Sequence, residues 1–219
     1  MIDVIYLSAG KGNRAKLGYP KQYARLGGKP IMIHGLEILQ RMDIINKIII
    51  TVSESEMVKT TELVMQYGID KATIIFGGNT RQESTKYALD WITTEDVLIM
   101  EAVRPFITAD FILKIIEMNN DFITPIRKSI STVITFDGNW LDRRFVGEVQ
   151  MPQKYKTELL CQAHTQATHL NYTDDAALII DTLRLIPTII DGLEENIKIT
   201  TPLDLQIAEA IYANNYNRE

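Results

Sequence analysis

Between Leu7 and Gln22 the chain reads LSAGKGNRAKLGYPKQ. Gly10 and Gly12 stand there among Lys11, Arg14, Lys16 and Lys21. Glycines let backbone N–H groups come close to an anion and the cations add charge, so the chemistry on offer is phosphate binding. The run GKGNRA also fits the dinucleotide-binding fingerprint, with Ala in its last small position. The residues after the run rule that fingerprint out. Gly18 and Pro20 come too soon for the long helix it opens, and no acid ends a second strand roughly 20 residues on. A Walker A loop is excluded as well, because Gly10 lacks the required Gly-Lys-Ser/Thr continuation.

A phosphate loop needs a strand to present it. Apolar, β-branched runs predict strands at Asp3–Ser8, Lys47–Val52, Ala72–Phe76, Asp96–Met100, Ser131–Phe136 and Leu185–Ile190. Helical spacing fills the gaps. Pro30 suits a first helical position before Ile31, Met32, Gly35, Leu36 and Leu39. Met57, Val58, Thr61, Val64 and Met65 repeat the pattern, and Asp110 is placed to cap Phe111–Met118. Thr201-Pro202 opens a last helix through Ala210, with Asp204 in its first turn. The alternation predicts an α/β fold, a mostly parallel sheet with helices on both faces. The loop then sits at the carboxyl end of the first strand, where open α/β sheets bind ligands.

One stretch breaks the alternation. Thr132–Phe136 and Trp140–Val149 flank the turn signal Asp137-Gly138-Asn139. It reads either as an edge hairpin of the same sheet or as an arm reaching a partner subunit. With no linker or repeat, one domain over 1–219 with this arm at about 132–150 is the economical parse.

The bulk properties narrow the class. In 219 residues there are 23 Lys and Arg against 28 Asp and Glu, a net charge of -5 that argues against nucleic acid as the main partner. The single cysteine, Cys161, excludes an intrachain disulfide and a multi-cysteine zinc site, and it is expected to pack within a helix. No apolar run approaches a membrane span, and the chain opens directly into strand-like residues, so a cytoplasmic protein is expected. His34, His164 and His169 lack metal-site spacing, read as helix residues and receive no role; Trp140, Tyr155 and Tyr172 are expected to pack.

The glycine-rich segment resembles the signature of the cytidylyltransferases that activate sugar-alcohol phosphates, the methylerythritol phosphate and ribitol phosphate enzymes among them. Further matches occur in order along the chain: GGNTRQES at 77–84, EAVRPFI at 101–107, DRRFVGEVQMPQKY at 142–155, YTDDA at 172–176 and ENIKITTPLDL at 195–205. The resemblance implies a Rossmann-like nucleotidyltransferase fold, a homodimer joined by projecting β-arms, and CTP and Mg²⁺ as co-reactants. It implies CMP transfer to a phosphate oxygen with release of pyrophosphate. The residues suit that reaction. A phosphate monoester has a second pKa of about 6 and is mostly ionised near neutrality, so no general base is required. The difficulty is repulsion between anions, which calls for a cage of cations and backbone N–H groups.

On the matching positions, the resemblance makes Arg14, Lys21 and Lys198 the catalytic cations. It places Ala9, Gly10, Gly12, Gly77, Gly78, Arg81 and Ser84 around CTP. It places Glu101, Arg104, Thr132, Arg143 and Thr173 at the acceptor, Arg143 being supplied by the partner subunit, and it makes Glu101 a candidate metal ligand. Asp174 and Asp175 are read as a helix N-cap in preference to second-layer groups.

Two positions depart from the family pattern. Glu101 stands where Asp is usual, one methylene longer, and Met151 replaces the Thr of Gln-Thr-Pro-Gln. Both lie on the acceptor side, and losing a hydroxyl there should alter preference among polyols. These changes and Val103-Arg104-Pro105-Phe106 favour a ribitol 5-phosphate-like acceptor, with 2-C-methyl-D-erythritol 4-phosphate close behind. The alternatives are a phosphonate acceptor, or a CTP-binding protein that has lost catalysis.

Overall fold

A computed structural model describes residues 1–10 and 20–216. In chain order the strands are β1 (Ile2–Leu7), β2 (Arg25–Leu26), β3 (Lys29–Pro30), β4 (Ile45–Val52), β5 (Ala72–Phe76), β6 (Asp96–Glu101), β7 (Phe122–Lys128), β8 (Val133–Ile134), β9 (Trp140–Leu141), β10 (Gly147–Val149), β11 (Gln153–Lys156) and β12 (Thr188–Asp191). The helices are α1 (Ile31–Arg41), α2 (Met57–Gln66), α3 (Arg81–Leu89), α4 (Ala109–Glu117), α5 (Thr157–Gln166), α6 (Asp175–Leu183) and α7 (Pro202–Tyr216).

Eight strands form one sheet in the order β10-β7-β11-β6-β1-β4-β5, with β12 also paired to β7. β1, β4, β5 and β6 run parallel, as the buried apolar runs predict. Successive side chains in these strands point to opposite faces and serve two separate cores. Val4, Tyr6, Ile48, Ile50, Leu98 and Met100 pack with α1, α2 and α4 residues such as Leu36, Val64 and Phe111. Ile5, Ile49, Val97 and Ile99 face the other way, against Ala88 of α3, Leu160 of α5 and Ile179 of α6. Helices on both faces are thus the consequence of strands apolar throughout.

Several expectations are corrected. β7 carries Pro125 in mid-strand, which reads against a strand, yet it joins the sheet with β11 and β10 antiparallel and β12 parallel to it. β11 reads QKYK, without apolar alternation, and Gln153, Lys154 and Tyr155 are nonetheless buried. Lys154 is tolerated because its Nζ donates to the Met118 carbonyl at 2.6 Å and the Ile116 carbonyl at 3.3 Å, at the unpaired end of α4. The expected strand Ser131–Phe136 shrinks to Val133–Ile134, paired antiparallel with Trp140–Leu141 apart from the main sheet. The second limb, Trp140–Val149, breaks at a 3-10 turn over Arg143–Phe145, and Gly147–Val149 joins the main sheet as an edge strand; Ile134, Phe136 and Trp140 are exposed on the hairpin. Trp140 does not pack, whereas Tyr155 is fully buried and Tyr172 half-buried.

Smaller corrections have local causes. Val58 and Met65 are exposed, because α2 is rotated to bury Thr60 and Val64. The cap of α4 is Thr108, whose side chain accepts from the Phe111 N–H, not Asp110. Leu185 and Ile186 are exposed outside β12. Cys161 is exposed on α5, and His169 lies beyond that helix, stacked on Tyr172.

Candidate active site

The carboxyl ends of β1, β4, β5 and β6 open into a cleft of about 1120 Å³. Three chain segments build one side of it. β1 ends in Ser8-Ala9-Gly10, and Gln22 pins that end: its Nε2 donates to the Ser8 carbonyl at 2.7 Å and lies 3.5 Å from the Gly10 carbonyl. The segment returning to the cleft starts a 3-10 turn at Lys21, so Lys21 is held as a buried wall residue. β5 ends in Gly77-Gly78, directly beside Ala9. A Cβ on Gly77 would lie 2.5 Å from the Ala9 Cβ and 2.9 Å from Ser84 Oγ, so only glycine permits this approach.

Helix α3 begins immediately after these glycines. Thr80 accepts from the Glu83 N–H at 3.0 Å while Glu83 accepts from the Thr80 N–H at 3.0 Å, a reciprocal capping box. Ser84 Oγ accepts from the Gly78 N–H at 3.0 Å and donates to the Thr80 carbonyl at 2.9 Å. The first helical residue, Arg81, is thereby set at the cleft wall. Its Nη1 pairs with Asp175 at 2.6 Å, while its buried Nε and Nη2 make no hydrogen bond among the described residues.

The opposite side centres on Glu101, the last residue of β6, whose neighbour across the sheet is Leu7 of β1. Lys198 Nζ donates to Oε1 at 2.7 Å and Arg104 Nε to Oε2 at 3.1 Å, with Arg81 Nε 3.8 Å from Oε1. Burial alone would raise this carboxyl's pKa; Lys198, Arg81 and Arg104 outweigh it and bring the value down to about 2. Arg104 is further braced, donating to the Asn196 carbonyl at 2.7 Å. Asn196 in turn donates to the Met151 carbonyl at 2.6 Å. Met151 lines the cleft and also packs into the core with Tyr155 and Leu160.

Most of the expected residues thus meet in one place. Ala9, Gly10, Lys21, Gly77, Gly78, Arg81, Ser84, Glu101, Arg104, Thr173 and Lys198 all line the cleft. Arg14 and Gly12 lie outside the described residues, as do Lys11 and Lys16. Thr132 and Arg143 do not line the cleft: both are exposed on the arm, where Arg143 Nη1 donates to the Ile130 carbonyl at 2.8 Å. Arg143 lies in the 3-10 turn Arg143–Phe145, just before β10, at the far edge of the sheet from β1, β4 and β5. Glu101 does not fit a metal site. Both of its oxygens are committed to cations, and no cluster of three His, Cys, Asp or Glu side chains suited to a metal occurs among the described residues. Asp174 is the N-cap of α6, accepting from the Ala176 N–H at 2.8 Å. Sequence reasoning missed Gln22, Asn196 and the Thr80–Glu83 box. Only the last had a signal, the T-x-x-E spacing ahead of a helix.

The family model of 2-C-methyl-D-erythritol 4-phosphate cytidylyltransferase matches residues 2–214. The chain belongs to this family. A cytidylyltransferase of that name from Halalkalibacterium halodurans is 34% identical over 229 residues, covering 99% of each chain. One from Azobacteroides pseudotrichonymphae is 34% identical over 216 residues, covering 95% of this chain and 97% of the other. Among solved structures, the 4-diphosphocytidyl-2C-methyl-D-erythritol synthase of Anaerococcus prevotii superposes with a TM-score of 0.84 at 26% identity, covering 96% of this chain and 95% of that one. The bifunctional IspDF of Campylobacter jejuni matches with a TM-score of 0.81 at 29% identity over 94% of this chain and 53% of its own.

The chain is therefore a nucleotidyltransferase, a CTP-dependent cytidylyltransferase with the Rossmann-like fold of that family. The acceptor in the family's name reverses the order drawn from Val103-Arg104-Pro105-Phe106, Glu101 and Met151, which put ribitol phosphate first. No helix among the described residues is long and apolar enough to cross a membrane.

Proposed function

We propose that this cytidylyltransferase transfers CMP from CTP to 2-C-methyl-D-erythritol 4-phosphate, releasing pyrophosphate. What supports the acceptor is the family model over residues 2–214; what supports the transfer is the pairing of Lys198 with Glu101 in a cleft also lined by Gly77-Gly78, Arg81 and Lys21. One side offers glycine backbone and a guanidinium, the other a lysine poised on a carboxylate.

In this reading the base and ribose lie against Ala9, Gly10, Gly77, Gly78, Arg81 and Ser84, with Gly12 and Arg14 completing the loop. An acceptor phosphate oxygen attacks the α-phosphorus, and the bond to the bridging oxygen of the β-phosphate breaks. Lys198 exchanges part of its contact with Glu101 for the α-phosphate oxygens. Lys21 and Arg14 take up the charge that grows on departing pyrophosphate. The acceptor polyol lies towards Arg104, Thr173 and Met151. Magnesium enters as part of the substrate, carried by the triphosphate; among the described residues no cluster of three His, Cys, Asp or Glu side chains offers it a protein ligand set. Arg143 and Thr132 act from the arm of a second copy in a homodimer, with the arm as the dimer contact and the rest of 1–219 as one domain.

Pyrophosphate release tests the acceptor. With CTP and Mg²⁺, methylerythritol phosphate should give the highest kcat/KM in a panel that includes ribitol 5-phosphate, erythritol 4-phosphate and a phosphonate. A higher value for ribitol 5-phosphate would overturn this assignment. For the arm, inactive Arg143→Ala and Lys21→Ala proteins should regain activity when mixed, since each supplies what the other lacks. No recovery in a mixture shown to exchange subunits would remove the crossing arm.

A further inference from the structure

Behind the nucleotide wall lies a group of buried ionisable residues that the reaction above does not use. Asp175 is the first residue of α6, and its side chain is 1% exposed. Its Oδ2 holds Arg81 Nη1 at 2.6 Å and has Thr85 Oγ1 at 3.5 Å. Its Oδ1 lies 3.4 Å from His164 Nε2 on α5, and that imidazole is 2% exposed. Neither ring nitrogen of His164 makes a hydrogen bond among the described residues, the 3.4 Å approach to Asp175 included. Three helices from the same face of the sheet thus converge on one carboxylate.

A buried carboxylate is costly to hold unless it is paired. Here its partner is an arginine with a second carboxylate within reach, because Arg81 Nε lies 3.8 Å from Glu101 Oε1. That oxygen is the one Lys198 occupies at 2.7 Å. Arg81 therefore stands between two anions. Nearer contact with Asp175 keeps it on the nucleotide side and leaves Glu101 Oε1 to the lysine. An arginine fixed in this way loses little further rotamer freedom when a ligand arrives.

We infer that Asp175, backed by His164, is a positioning residue for nucleotide binding that acts only through Arg81. This rests on the placement of Arg81 against CTP proposed above. Asp175→Asn keeps the size and removes the charge that pins the guanidinium. His164→Gln removes the support behind it.

The test is a double-mutant cycle on the full-length enzyme, measuring KM for CTP and for methylerythritol phosphate. Arg81→Gln should raise the CTP KM at least tenfold. Asp175→Asn should do the same, with the acceptor KM changed less than threefold. In an Arg81→Gln background, adding Asp175→Asn should change the CTP KM by less than twofold, which a loss through general packing would not do. If Arg81→Gln leaves the CTP KM unchanged, both the placement of Arg81 and this inference fall. If Arg81→Gln raises it and Asp175→Asn does not, or the two effects multiply, only the inference falls. Should Asp175→Asn not fold, His164→Gln replaces it in the cycle, with a threefold or greater rise expected in the Arg81 background and none in Arg81→Gln; additive effects overturn the inference.

Discussion

Lys198 and Glu101, 97 residues apart in sequence, meet at 2.7 Å across the mouth of the cleft. The lysine is half-exposed and the carboxylate nearly buried, so the pair joins solvent to the end of the sheet. Glu101 thereby fixes where the ammonium waits. Replacing Lys198 by Ala should lower kcat about 10²–10³-fold, the scale for losing one donor to developing charge. Glu101→Gln should lower kcat less than Lys198→Ala, because the amide oxygen still accepts from the lysine while its charge is gone. Steady-state rates at saturating CTP decide it; a Glu101→Gln enzyme at full rate would dismiss the pairing as a functional contact.

The same carboxylate makes a pH prediction. Its pKa falls from an ordinary 4.5 to about 2 on folding. A depressed carboxyl contributes stability that is fully present above the unfolded value and lost as the pH drops through the folded one. The stability gap between wild type and Glu101→Gln should be widest near neutrality and close between about pH 4.5 and 2. Urea denaturation at a series of pH values gives the gap directly, and a constant difference would contradict the assignment.

Gly77→Ala places a methyl 2.5 Å from the Ala9 Cβ, in the gap between the first and third segments of the nucleotide wall. Overpacking of this kind costs on the order of 1–3 kcal/mol. The expected result is a lower melting temperature together with a raised CTP KM. Among the described residues nothing lies within 4 Å of a Cβ placed on Gly10, so Gly10→Ala should leave the melting temperature nearly unchanged, as at an ordinary exposed site.

Gln22→Ala removes the donor that ties the returning chain to the Ser8 carbonyl at 2.7 Å. A buried acceptor left unpaired costs about 1–3 kcal/mol. The variant should lose thermal stability and kcat together, since Lys21 is the adjacent residue. Calorimetry beside kinetics checks this; loss of one without the other would separate Lys21 placement from the Gln22 tether.

Met151→Thr puts a hydroxyl on the cleft lining at the cost of a core contact with Tyr155 and Leu160. It should destabilise the protein by about 1–3 kcal/mol, as buried polar replacement does. It should also raise kcat/KM for methylerythritol phosphate relative to ribitol phosphate, read from the same pyrophosphate assay.

The parallel half of the fold was legible because its strands are apolar on both faces. Ile48-Ile49-Ile50 can only sit between two helical layers, and it does. The antiparallel half was not. Pro125 breaks the strand pattern of β7, and the polar string Gln153-Lys154-Tyr155-Lys156 hid β11, since the partners that make Lys154 tolerable lie at the end of α4, far off in sequence. The cleft residues were legible through motif order, yet what they do to one another was not. Nothing in the chain announces that Arg81 is shared between Asp175 and Glu101, or that Arg104 is braced by the Asn196 carbonyl. Such pairings exist only once distant strand ends are side by side. The arm was legible as a hairpin from Asp137-Gly138-Asn139, while its short ladder reflects residues with no sheet to lie on.

The arm leaves the sheet after β7 and returns as β10, whose Gly147 to Val149 pair with Lys128 to Ile126. Val149 is already cleft wall, as is Met151, and Gln150 between them is tied to the Leu193 carbonyl at 2.9 Å. The hairpin and the cleft therefore share one short strand: β10 begins where the hairpin returns and ends on the lining residue Val149, so Phe136 and Trp140 are continuous in the chain with the cleft wall.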